Sequence, residues 1–180
     1  MAAETSDCPG CGVSLPVSDW PVRSRANASP ACWQLYMSVV GHEFAHLPQL
    51  GGLHQLTVDA YGAQHAGEQV PAIGIAFALI GLHLALDDGW SGTQVRAAHQ
   101  HLAARGGDWP AFSAPMSRAA LTIADVAGSP TPEEHAARVR SWAASVWEAW
   151  TQEHARVREW ADQALSSAVR ARMRQEDGSI

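Results

Sequence analysis

The stretch 70-VPAIGIAFALIGLHLAL-86 decides the fold. It is apolar on every side, not along one stripe, and His83 is its one ionisable group. A helix of that kind belongs at the centre of a protein, covered all round by other helices. It is short for a membrane span. Asp87, Asp88 and Gly89 end it.

Helical patterns lie on both sides. Upstream, 54-HQLTVDAYGAQH-65 suits a helix, and 32-CWQLYMSVVGHEFAHL-47 places Leu35, Val39 and Val40 at helical spacing before Pro48 and Gly51-Gly52. Downstream, residues 91–107 begin with a serine cap and end in glycines. Thr122 and Asp125 form a capping box around LTIADV. Thr131 caps a last segment, Pro132 takes its first position and Glu134 closes a second box, which predicts one long helix to about 165. Its stripe is Val139, Trp142, Val146, Trp150, Val157 and Trp160. No run demands a strand. The expected class is all-α: a helical bundle-like body at 32–172, an irregular arm at 1–31 and a tail at 173–180, together one domain over 1–180.

Composition narrows the functions. The chain has 180 residues, 47% hydrophobic and 17% charged, with a net charge of −6. All 12 basic residues are arginine. An acidic chain without a basic face argues against nucleic acid as partner. Arg170, Arg172 and Arg174 read as a solvated helix end, because Glu176 and Asp177 follow them. The polar start MAAETSDCPGCG has no apolar core of a signal peptide. We expect a cytoplasmic protein with no membrane partner.

The arm carries Cys8 and Cys11 in CPGCG, and Cys32 follows. Proline and glycine let such a turn fold back so that its amides face the thiolates. Three cysteines are an odd count, and a CxxC pair in a reducing compartment suggests metal. A tetrahedral zinc site needs a fourth ligand. His42, His46 and His54 are nearest in sequence, and His54 is the one favoured. A redox dithiol lacks the βαβ setting it needs.

HEFAH, residues 42–46, fits H-E-x-x-H, in which two histidines grip zinc and the glutamate activates a water. Zinc peptidases set a sheet ahead of this helix, whereas a cysteine knuckle and a Pro/Ser loop precede it here. The extended signature fails as well, at Gln49 and Gly52.

The remaining histidines give the other candidates. His54 and His65 lie roughly 16 Å apart along a continuous helix and cannot share one metal. His83 sits inside the apolar helix with Asp87 four residues on. Glu153 and His154 interrupt the tryptophan stripe. If His65, His83 and His154 meet with Asp59 or Glu153 in the bundle core, they make an acid/base or second metal site, with Tyr61 on the face of His65. His99, His101 and His135 read as surface.

The blocks CPGCG, Cys32-Trp33, HQLTVDAYGAQH, GLHLAL, LTIADV and WAASVWEAWTQEHARVREW, in that order, resemble an uncharacterised bacterial family of small proteins, a domain of unknown function. The resemblance covers most of 8–161 and leaves HEFAH out. It implies a shared site at Cys8, Cys11, Cys32, His54, Asp59, Tyr61, His65, His83, Asp125 and His154. Members often pair two histidines in the last block, where this chain has Glu153-His154.

Three functions compete. The first is a small enzyme, metal-dependent or using a histidine acid/base, on a small metabolite. The alternative is a zinc-stapled interaction module, with homo-oligomers through the tryptophan-rich final helix. The third is the zinc peptidase.

Overall fold

The computed structural model describes residues 4–22 and 26–176. Residues 1–3, 23–25 and 177–180 lie outside the described residues, and with them parts of the expected arm and tail. Its elements in chain order are β1 (Thr5–Asp7), β2 (Ser14–Pro16), α1 (Pro30–Ala45), α2 (Leu47–Leu50), α3 (His54–Gln64), α4 (Ala72–Leu86), α5 (Gly92–Arg105), α6 (Ile123–Val126), α7 (Pro132–Ala149), α8 (His154–Ala164) and α9 (Ser167–Glu176). The all-α class holds.

Helix α4 is the central element. It packs on α3, α5, α7 and α8. One core cluster joins its Ile75, Leu79 and Leu82 to α3 and to Val139, Trp142 and Val146 of α7. A second cluster, on its other side, joins Ile80 and Leu84 to Val95, Ala98 and Leu102 of α5 and to Ala161 of α8. Core on two sides is the reason this helix needs no polar stripe. No described helix is long and apolar enough to cross a membrane.

The helix ends follow local chemistry. Ser29 accepts from the Cys32 amide at 3.3 Å and Pro30 opens α1. Ser91 and Gln94 satisfy each other's amides in a full capping box at α5. Thr131 caps α7, but Glu134 turns to Arg138 and leaves that box unclosed.

Two sequence expectations change. The arm holds strands β1 and β2, paired antiparallel with Ser6 opposite Leu15. Strands of three residues are too short for alternation to show in sequence. They are closed by the knuckle between them, through Cys8 N to Val13 O and Gly12 N to Cys8 O, both 2.9 Å. Gly12 has φ +79°, a left-handed turn that suits glycine. The single long last helix is broken instead. Trp150 ends α7, a 3-10 turn spans Thr151–Glu153, and α8 follows. Thr151 returns its hydroxyl to Glu148 O at 2.5 Å, the competition that bends helices. The turn keeps the stripe inward on both sides: Trp142 and Val157 are fully buried. The tryptophans offered by the sequence as an oligomer surface therefore lie largely in the core.

Candidate metal centre

Cys8 and Cys11 project from the β1–β2 turn, Cys32 from the first turn of α1, and His65 from the C-terminal cap of α3. Their four ligand atoms lie within 4.8 Å of one another, and all four residues are buried. Cys11 Sγ is 3.8 Å from Cys32 Sγ, and His65 Nε2 is 3.5 Å from Cys8 Sγ and 3.3 Å from Cys32 Sγ. A tetrahedral zinc with Zn–S about 2.3 Å and Zn–N about 2.0 Å has S···S edges of about 3.8 Å and S···N edges of about 3.5 Å. The three distances above match such edges, and the cluster could hold a metal ion.

The surroundings fix the ligands. His65 Nδ1 donates to the Tyr61 carbonyl at 2.9 Å, which turns Nε2 toward the thiols as the atom a metal would take. The Tyr61 ring stacks on His65 at 3.9 Å and its hydroxyl lies 3.7 Å from Cys32 Sγ. A Cβ on Gly10 would sit 2.4 Å from Asn27 O and 2.6 Å from His65 Cδ2, so the knuckle closes on α3 only with glycine there. The thiols polarise each other. Hydrogen bonds from Cys11 and Cys32 pull Cys8 down, while Cys11, Cys8 and burial push Cys32 up. Burial lowers His65, but Cys11 and Cys8 outweigh it and lift the imidazole to about 9. Crowded soft anions of this kind suit a divalent cation.

The fourth member is His65, where the sequence favoured His54. His54, at the other end of α3, donates Nδ1 to Glu43 at 2.7 Å. Glu43 is fully buried and also accepts from Thr57 at 2.5 Å and from His135 Nε2 at 3.2 Å. Its carboxylate thereby ties α1, α3 and α7. His135, read from sequence as surface, is 2% exposed because the first turn of α7 packs against α1. In HEFAH, the His42 and His46 rings meet at 4.4 Å, tilted by 40°, while Glu43 turns into this network. Among the described residues the only strands are β1 and β2, so no sheet lies beside the motif as a peptidase requires.

The other candidates separate. His83 Nδ1 is 3.0 Å from Asp87, which also receives Trp147 Nε1 at 3.1 Å and Arg158 at 2.8 Å. Burial pushes Asp87 up, but those donors prevail and hold its carboxyl below the usual range. His154 stacks on Trp147 at 3.8 Å and bonds its carbonyl at 2.8 Å. Glu153 receives Ser113 N at 3.2 Å and Arg156 at 2.6 Å. Asp59 is 3% exposed, with Gln55 on one oxygen. Asp125 closes the capping box of α6, accepting from the Thr122 amide at 2.7 Å. Thus His65 sits with the cysteines, His83 and His154 flank the Trp147–Asp87 pair, and Asp59 stands apart. Among the described residues no second group of three such side chains gathers closely enough for a metal. The sequence did not single out Glu43 as a core group, nor Thr57 and His135 as its partners; the only signal was HEFAH itself.

The sequence model of the Family of unknown function (DUF5946) matches residues 6–151, and the chain belongs to that family. The match includes all four residues of the cluster. No curated protein and no solved structure matches the chain.

Proposed function

We propose that this member of the family is a zinc-stapled helical protein whose metal is structural. One observation carries the reading: four buried protein ligand atoms lie within 4.8 Å of one another, enough to fill a four-coordinate shell with no position left for water. Catalytic zinc keeps a corner for water, and structural zinc does not. When bound, the ion supplies a cross-link. Cys8 and Cys11 bring the hairpin to it, Cys32 brings α1 and His65 brings α3. Two strands of three residues have little stability of their own, so metal binding and folding of the arm are one event. A metal-dependent reaction at this centre has no support, and His65 is committed as ligand, not as base.

Zinc content per chain tests this on wild type, Cys32→Ser, His65→Ala and His54→Ala, purified without added metal. One equivalent is expected in wild type and His54→Ala, and its loss in the other two. Zinc kept by His65→Ala and lost by His54→Ala would overturn the ligand set.

A second reading, the interaction module, has an observation of its own. Pro30–Gln64 contains two charged residues, Glu43 and Asp59, and both are buried. Met37, Phe44 and Leu47 on this segment are 42%, 55% and 53% exposed. An uncharged face with exposed large side chains suits protein contact. Sedimentation of wild type against Phe44→Glu checks it; identical behaviour across concentration, monomeric throughout, would remove self-association from it.

A further inference from the structure

The connection from α5 to α6 is tied to the body at two places. Arg156 donates to Ala111 O at 3.0 Å, and Glu153 accepts from Ser113 N at 3.2 Å. Further on, Leu121 N donates to Ser145 Oγ at 3.1 Å, and Leu121 O accepts from Gln64 at 2.7 Å. Between these ties, residues 114–120 form no hydrogen bond among the described residues. A strap pinned at both ends and loose between opens at little cost. Under it lies a small cavity of about 60 Å³, whose lining joins Ala114, Pro115 and Arg118 of the strap to Gly10, Gln64 and Ala66. Gly10 stands between Cys8 and Cys11, and Gln64 and Ala66 flank His65. The strap therefore covers the centre where the knuckle meets the end of α3.

One side chain of the strap rests on the knuckle. A Cβ on Gly12 would lie 2.5 Å from Arg118 Nη1 and 2.9 Å from its Cζ, so the guanidinium packs on the glycine that follows Cys11. Arg118 is exposed and has no ion pair or hydrogen bond among the described residues. Glu148 shares a neighbouring groove with it but forms no ion pair there. With zinc bound, three thiolates and a neutral imidazole surround a divalent ion, which leaves one net negative charge on the centre. A guanidinium on the knuckle is attracted to that charge. All three thiols are buried, so an outside ligand reaches the metal only after a cover lifts. The hairpin, α1 and α3 are held by the ion itself; the strap is not. Resting on the zinc-stapled reading, we propose that residues 114–120 gate the metal centre and that Arg118 latches the gate. The four ligands set whether zinc binds, and the latch sets how fast it exchanges.

Zinc release from the full zinc-loaded chain tests this. The uncharged chelator tetrakis-pyridylmethyl-ethylenediamine is added in excess, so that charge does not steer its approach, and the zinc left on the chain is followed over time. Wild type and Arg118→Ala are compared with Arg140→Ala, a change at an exposed arginine of α7. All three are expected to start with one zinc per chain. Arg118→Ala is expected to lose it about fivefold faster or more, by a margin that shrinks at high salt. Arg140→Ala is expected to match wild type. Equal release from Arg118→Ala and wild type, or the same gain in Arg140→Ala, would overturn the gate and leave the staple intact. A wild type that holds no zinc would overturn staple and gate together.

Discussion

Glu43 offers a sharp test of how the three-helix junction is held. It has no exposure and three donors: Thr57 at 2.5 Å and His135 at 3.2 Å on one oxygen, His54 at 2.7 Å on the other. Hydrogen bonds to a charged group contribute roughly 1.5–3 kcal/mol each, and a buried donor left without a partner costs about 1–3 kcal/mol. Glu43→Ala strands the Thr57 hydroxyl and two imidazoles and opens a cavity. Part of the loss is recovered by water at His54, whose side chain is 21% exposed. The expected cost is about 3–5 kcal/mol. Glu43→Gln keeps the shape. Its oxygen serves Thr57 and His135, and its NH₂ donates to His54 Nδ1 once that ring moves its proton to Nε2. The expected cost is about 1–2 kcal/mol. Thr57→Val removes one donor and leaves the carboxylate two, at about 1–3 kcal/mol. Urea unfolding of the zinc-loaded proteins reads all three. Alanine at 43 costing less than about 1 kcal/mol, or glutamine costing as much as alanine, would refute the network as the junction's support.

Asp59 gives a pH signature. Its folded pKa lies above its usual 3.8, so between those values the native state holds a proton that the unfolded chain has released. Stability then falls as pH rises through that window, and Asp59→Asn is expected to flatten the fall and be the more stable protein at pH 7. Unfolding midpoints from pH 4 to 8 check this; parallel curves would contradict it. His99 acts with the opposite slope. Burial lowers its pKa to about 4, the weaker upward pull coming from the Phe77 backbone, so the unfolded chain takes up a proton first and stability falls as pH drops from about 6.5 to 4. His99→Phe, which keeps the stack on Phe77, is expected to lose that acid-side slope in the same titration. Gly81→Ala is expected to destabilise by about 1–3 kcal/mol, because the new Cβ would meet the buried Asp59 carboxyl 2.0 Å away, and Gly81→Ala with Asp59→Ala should recover part of it in thermal melts.

The sequence by itself determined the helices and their punctuation. The continuous apolar run at 70–86 could only be a buried centre, and serine, threonine, proline and glycine marked most ends within a residue or two. These are local properties, set by neighbours within one or two turns. The three cysteines were legible for the same reason, since a CxxC turn is a local device. What local pattern could not reach was direction. His54 and His65 stand at opposite ends of α3, and either could meet the cysteines; packing α3 along α4 with its C-terminal end toward the hairpin decides for His65. The same packing sends His54 to Glu43 and draws His135 into the core, although its position in a first helical turn reads as solvent. The break at Trp150–Glu153 was not legible either, because the stripe from Val139 to Trp160 runs through it at unbroken helical spacing. A cavity between Asp59 and Arg140 belongs to this second class: its walls come from residues up to 91 positions apart, from Gln49 to Arg140, and only the assembled helices bring them together.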